Sequence, residues 1–400
     1  APAPTPLPPG ASAGEEAAQP PSPPPAAATL FQPAAWTAGS WSITPQLALA
    51  AGHNDNLRLQ SSAAIASPFI ALFPSLTAAR PAGEGHDQLS WRSEWTRFTG
   101  SRVDSTLNTE LAAEGMRLLD EQTALAWRLA WQDWHDAVGQ AAPDQPVDAA
   151  DHFRAMALGA VWRHDAGDAA QHRTELEPTL SRKRYQNHLE VTEQANADSA
   201  SLVGRYLFTL APSRRVGPEL RVVRTRFVLT DQALSNTSWR ASAMWQWDAT
   251  ETFNGTARLG REQRHFDRFR PPYSGTTWDA DLHWLARPTT QLDFSASRAA
   301  LDAPGEGADQ AVSRRFALSW TQVWSPQWRA TLSASHNRNQ YVNAALPRQD
   351  RLRSLDLGLR CDVARNWQLG LNIGWAQRRS SISAFDFTRH LNSLVLTAAL

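Results

Sequence analysis

The sequence predicts an all-β fold, a transmembrane antiparallel up-and-down β-barrel of about eighteen strands, with about sixteen as the alternative count. A disordered Pro/Ala-rich N-terminal tail precedes it. Three observations predict this. Apolar and polar residues alternate, the alternating segments restart roughly every twenty residues, and the links between segments are short and long in turn.

The alternation is plainest near the C-terminus. It puts Trp367, Leu369, Leu371, Ile373 and Trp375 on one face and Gln368, Gly370, Asn372 and Gly374 on the other. Phe316, Leu318 and Trp320 alternate with Ala317, Ser319 and Thr321. Trp328, Ala330, Leu332 and Ala334 alternate with Arg329, Thr331, Ser333 and Ser335. A period of two is a strand with one apolar and one polar face. Repeated along a whole chain, it suits lipid outside and water inside. The chain holds 18 Trp, many at segment ends, where aromatic girdles mark membrane interfaces. A Trp-rich soluble β-sandwich or propeller is the competing fold. No window approaches the roughly eighteen apolar residues of a membrane helix. The mean hydropathy of -0.44 is compatible with a barrel, because only alternate residues meet lipid.

The tail is residues 1–38, densest in proline at Pro20-Pro21-Ser22-Pro23-Pro24-Pro25. Such a segment cannot bury a core and stays extended or disordered. It reads as a plain periplasmic tail or as a tether for a periplasmic partner. The barrel is residues 39–400. Strands are expected over 41–51, 64–79, 88–99, 105–118, 122–134, 151–163, 172–185, 198–210 and 217–228. They continue over 236–247, 251–264, 276–286, 290–299, 310–324, 327–341, 350–363, 366–379 and 385–400. Pro68, Pro74 and Pro81 interrupt the early pattern, and a strand proline lacks a ladder donor. Asp248-Ala249-Thr250, Arg287-Pro288-Thr289, Ser325-Pro326 and Ala364-Arg365 are tight links. Between them run 265–275, 300–309, 342–349 and 380–384, and earlier 135–150 and 186–197. In up-and-down barrels short turns are periplasmic and long loops are outside. The N-terminal tail is then periplasmic, and an even strand count returns Leu400 to the same side. Export to an outer membrane needs a signal peptide, so one is expected to have been removed before Ala1.

Charge is balanced at 39 basic and 39 acidic residues, which argues against a general nucleic-acid binder. Lys183 is the single lysine. One cysteine, Cys361, leaves no intramolecular disulfide and no cysteine metal cluster. Its phase with Leu355, Leu357 and Leu359 makes it a small lipid-facing residue. The sequence has no GxSxG, HExxH, P-loop or GxGxxG motif, so the chain is read as a non-enzyme without cofactor. Asp279, Asp281 and His283 could mimic a site on one strand face, but alternating lumenal charge explains them more simply. His152, His164 and His172 lack metal-ligand spacing.

The same alternation turns one charged set inward. Arg128, Arg205, Arg258, Arg329, Arg360 and Arg378 each fall out of phase with apolar neighbours. A guanidinium facing lipid near midplane costs about 2–4 kcal/mol, so these arginines should line the lumen. The acidic set is Glu110, Glu114, Glu175, Glu177, Asp279, Asp281, Asp293 and Asp356. The charges either compensate one another across strands or form an arginine track for hydroxyls and carboxylates of a passing solute. Both readings leave a polar lumen.

Two segments resemble a known family. Gly52-His53-Asn54-Asp55-Asn56-Leu57-Arg58 resembles the "YDDNVFR" element of the putative β-barrel porin 2 family, with His53 in place of its leading Tyr. Arg378, Ser380, Phe385, Asp386 and Asn392 resemble its closing "R-x-S-N…F-D-Y…N" element, without the Asn after Ser380. The resemblance covers about residues 40–400 and carries no catalytic motif. Its best-described branch, the EpsL type, implies exopolysaccharide secretion across the outer membrane. The leading expectation is therefore a monomeric barrel in the Gram-negative outer membrane that exports a polar polymer, most simply an exopolysaccharide. Its partners would be membrane lipid and a periplasmic or inner-membrane export complex. A passive porin for small sugars or organic acids is the second reading. A non-transporting barrel that anchors surface or matrix material is the third.

Overall fold

The computed structural model describes residues 30–136, 149–167, 171–229, 234–250, 252–303, 307–344 and 346–400. The expected tail up to residue 29 lies outside them, as does most of the 135–150 link. A short strand, β1 (Trp36–Ala38), folds back on β2 (Trp41–Asn54). There follow β3 (Ser67–Ala82), β4 (Gly85–Phe98), β5 (Thr106–Leu118), β6 (Thr123–Asp136), β7 (Asp151–Ala166) and β8 (His172–Tyr185). Next come β9 (Ala197–Ala211), β10 (Arg214–Phe227), β11 (Asn236–Thr250), β12 (Phe253–Phe266) and β13 (Tyr273–Arg287). The last six are β14 (Thr290–Asp302), β15 (Gln310–Val323), β16 (Trp328–Val342), β17 (Gln349–Ala364), β18 (Trp367–Ser380) and β19 (Phe387–Ala399).

Strands β2 to β19 pair antiparallel with their sequence neighbours, and β19 pairs with β2 to close the ring. Closure aligns Leu394 with Ala51, Leu396 with Leu49 and Ala398 with Leu47. The barrel has eighteen strands, each over an expected span. Boundaries move where the ladder outlasts the pattern. Asp248–Thr250, expected as a turn, is the end of β11, and β13 begins at Tyr273 rather than at 276.

Three strand prolines, Pro74, Pro178 and Pro218, are accommodated by local gaps in the ladder. The β3–β4 pairing skips Phe73 and Pro74 and resumes at Ser75. The β9–β10 pairing skips Gly217 and Pro218, and the β7–β8 pairing skips Glu177 and Pro178. Each proline keeps its pairing to the strand on its other side. A missing N–H thus costs one rung on one side only.

Links 83–84, 212–213, 288–289 and 365–366 lie at one rim, and 55–66, 99–105, 186–196, 267–272 and 381–386 at the other. The outward residues form an apolar band: Leu318 and Leu369 are 47% and 49% exposed and Leu394 66%. Such a surface is stable only against lipid. The side-chain period of two sends the intervening residues to the inner wall.

Leu332→Arg and Ser333→Arg test this facing on one strand. The first should reduce assembled barrel by the equivalent of about 2–4 kcal/mol. The second, in register with Asp356, should be tolerated. Heat-modifiable gel mobility measures both, and equal damage contradicts the assigned faces.

Candidate functional site

The inner wall is the candidate site, and its two halves differ. Around β8 to β13 it is a chain of ion pairs. Arg205 contacts Glu175 at 3.2 Å, Glu177 at 2.9 Å and Glu219 at 2.7 Å. Glu219 also accepts from Arg258 at 3.1 Å. Arg258 reaches Asp279 at 2.7 Å, and Arg240 closes on the same carboxylate. Register explains the order: Glu175 is opposite Arg205, Arg205 opposite Glu219, and Arg258 opposite Asp279. Seven charges from six consecutive strands are thereby tied into one belt.

A smaller group lies on β4 to β6. Arg92 and Gln132 bind Glu110 at 2.6 and 2.9 Å, and Arg128 approaches it at 3.8 Å. Glu114 accepts from Gln88 at 3.1 Å. Asp293 accepts from Gln291 at 2.7 Å and contacts His283 Nδ1 at 2.6 Å. Asp281 stands between Asp279 and His283 on the same face, in register with Thr256 and Ser295. Arg378 is drawn to the long-link rim, where its Nε donates to the Phe385 carbonyl at 2.5 Å. The six arginines are therefore not one continuous track. Glu219, Arg240 and Arg92 are wall residues that the expected set omitted. Each obeys the same phase rule, as Glu219 does beside outward Leu220.

From β15 to β19 the wall is mostly hydroxyl and amide. Ser319 meets Ser333 at 3.1 Å, Thr321 meets Thr331 at 3.3 Å, and Ser335 meets Ser354 at 2.8 Å. In this half Arg329 is directly opposite Arg360. Arg360 donates to Asn372 Oδ1 at 2.8 Å and to the Leu359 carbonyl at 3.1 Å. Its guanidinium lies over Gly370, where an added Cβ would sit 2.8 Å from Nη1. Asp356 lies over Gly374 in the same way. Asp362, two residues along, is occupied. Gln368 Nε2 donates to one oxygen at 2.7 Å and the Phe31 backbone N–H to the other at 3.1 Å. Among the described residues neither Arg329 nor Arg360 has a carboxylate within 4 Å.

The Phe31 contact belongs to a strap at the short-turn rim. Leu30 N–H donates to the Pro326 carbonyl at 3.0 Å and Gln32 N–H to the Arg365 carbonyl at 2.6 Å.

The two segments that carry the family resemblance meet at the closing seam. Asp55 takes the His390 backbone N–H at 2.6 Å and contacts His390 Nδ1 at 2.7 Å. Burial opposes ionisation of Asp55, but the hydrogen bonds from His390 outweigh it and hold the carboxyl below its ordinary value. Asn56 Nδ2 donates to the Thr388 and Gln60 carbonyls at 3.0 and 2.8 Å. Asp386 accepts from Ser380 N at 2.6 Å and from Arg379 at 3.2 Å. Asp55 and Asn56 fasten β2 to β19, whereas Asp386 ties the link before β19 back to β18.

The family model described as "Putative beta-barrel porin 2" matches residues 29–400. The chain belongs to this family. No curated protein matches it. Among solved structures, the outer membrane protein OpdK of Pseudomonas aeruginosa is 10% identical, with a TM-score of 0.49. The match covers 90% of this chain and 98% of that one. OpdO of the same organism is 13% identical at a TM-score of 0.46, with 90% and 97% covered. OccAB2 of Acinetobacter baumannii is 10% identical at 0.47, with 90% and 98% covered. By membership of this family the chain is an outer-membrane porin-type β-barrel and not an enzyme.

Within this porin the belt around Glu219 is a shared anchor, because one buried carboxylate, 5% exposed, holds two guanidiniums. Glu219→Gln should destabilise the barrel by roughly 1–3 kcal/mol. Glu114→Gln, which loses one neutral donor, should change it by less than about 1 kcal/mol. Urea unfolding in lipid vesicles measures both. A larger effect at Glu114 contradicts the belt.

Proposed function

We propose that this chain is a passive porin that admits small polar solutes and favours organic acids over neutral sugars. The observation that carries it is the Arg329–Arg360 pair. Two arginines stand in cross-strand register on a polar wall, the Arg360 guanidinium lying over Gly370, while the nearby Asp362 is engaged by Gln368 and Phe31. Like charges in register repel, and a passing carboxylate relieves that repulsion with bidentate hydrogen bonds. The hydroxyl ladders beside the pair replace water around the rest of a small solute. Fixed positive charge also raises the local anion concentration. Polymer export finds less support. Arg205 and Arg258 are spent in the belt, Arg128 sits by Glu110, and Arg378 by the Phe385 carbonyl, so no repeated arginine track remains. With no track, an export complex has no role in this reading.

Uptake into proteoliposomes tests the function. Arg329→Glu with Arg360→Glu should lower influx of a four-carbon dicarboxylate at least fivefold and leave a neutral disaccharide within twofold. Equal loss of both, or free passage of a dextran polymer, contradicts the proposal.

The alternating links support an orientation with the long-link rim outside and both termini in the periplasm. In a Cys361→Ser background, an impermeant thiol reagent on intact cells should label Phe269→Cys and spare Arg365→Cys. The reverse pattern contradicts it.

A further inference from the structure

The outer face carries a second charged array. At the long-link rim five arginines form one cross-strand row. Arg298 on β14 is opposite Arg314 on β15, and Arg314 is opposite Arg338 on β16. Arg338 is opposite Arg351 on β17, and Arg351 opposite Arg379 on β18. Their phase matches Phe316, Leu318 and Trp375, so they point away from the lumen. The row lies two residues beyond Phe316, at the upper edge of the apolar band. Strands about 4.8 Å apart spread it over roughly 19 Å.

Like charges directly opposite on a sheet are destabilising. Elsewhere on this rim several outward arginines are compensated, although among the described residues Arg97, Arg226 and Arg261, which stand in no such row, are not. Asp133 takes Arg154 at 3.0 Å, Asp198 takes Arg182 and Arg184 at 2.8 Å each, and Asp267 takes Arg224 at 2.5 Å. In the row, among the described residues, only Arg379 has a carboxylate, Asp386 at 3.2 Å. Nη1 of Arg298 is buried and has no hydrogen-bond partner. Beside it the β13–β14 ladder stops at Trp278–Arg298. The strands part there around a recess of about 280 Å³ lined by Tyr273, Ser274, Arg298, Arg314, Arg338 and Gln340.

We propose that this row binds a lipid with two or more phosphoryl groups, held in the leaflet that meets the long-link rim. Guanidinium forks match phosphoryl oxygens bidentately, and basic clusters at the headgroup level recognise anionic lipids. One phosphoryl group enters the recess at Arg298, and a second spans Arg338 and Arg351. A row this wide outreaches a single phosphate. Its place directly above the apolar band lets the acyl chains lie on Leu318 and Leu332 while the headgroup is bound, which raises the effective concentration of the second contact.

Thermal unfolding of the full-length barrel in zwitterionic detergent tests this, with bis-phosphorylated lipid A, its monophosphoryl form and inorganic phosphate as probes. The wild-type midpoint should rise with the bis-phosphorylated lipid and less with the monophosphoryl form. Inorganic phosphate at equal phosphoryl concentration should leave it unchanged. The triple variant Arg314→Ala, Arg338→Ala and Arg351→Ala should melt no lower than wild type without lipid, because repulsion is relieved. It should need at least tenfold more lipid for half of the rise. Arg338→Ala alone, at the centre of the row, should need at least threefold more, and it serves if the triple variant fails to assemble. Arg182→Ala with Arg184→Ala, on the opposite wall, should respond as wild type. An unchanged half-point in Arg338→Ala, or a phosphate response equal to the lipid response, overturns the proposal.

Discussion

Every backbone amide and carbonyl within the apolar layer must find its partner in the sheet, and this ring satisfies that only if its last strand pairs with its first. The β19–β2 ladder is therefore the constraint on which the rest depends. Without it two edges would face lipid unpaired. The sequence reinforces the seam with side chains where the ladder ends. Asp55 holds His390 and Asn56 holds the Thr388 carbonyl. Of the residues that carry the family resemblance, Asp55 and Asn56 are thus closure residues.

Once the ring is closed, the period of two separates two electrostatic environments. Inside, charge is mostly neutralised across strands. The belt from Glu175 to Arg240 stiffens one wall, and the hydroxyl ladders leave the other wall smooth and polar. Charge left uncompensated is then informative, because a row of like charges is stable only beside something that answers it. Arg329 and Arg360 answer to the lumen. The row from Arg298 to Arg379 answers to the membrane surface. The same residue type serves two purposes, separated only by the strand phase.

The fold was legible because phase is local. Eighteen expected spans overlap strands β2 to β19, with boundaries shifted by a few residues. What escaped was relational. Asp362 looks like any inward acid until Phe31, 331 positions away, is brought against it. Arg314 and Arg338 are ordinary rim residues until cross-strand register places them opposite each other. Pro74, Pro178 and Pro218 look like strand breakers in sequence, and only the ladder shows that each loses a rung on one side. Phase told which face a residue takes, whereas its partner was set by a neighbouring strand tens of residues away.

The proposed porin function requires that the closed eighteen-strand ring enclose a hydrated lumen open from rim to rim. Single-channel recording of the wild-type protein in a planar bilayer tests it most directly. Discrete insertion steps followed by a steady conductance that is linear in voltage near zero are expected. Barrels that insert, as judged by heat-modifiable mobility, yet pass no current would contradict it.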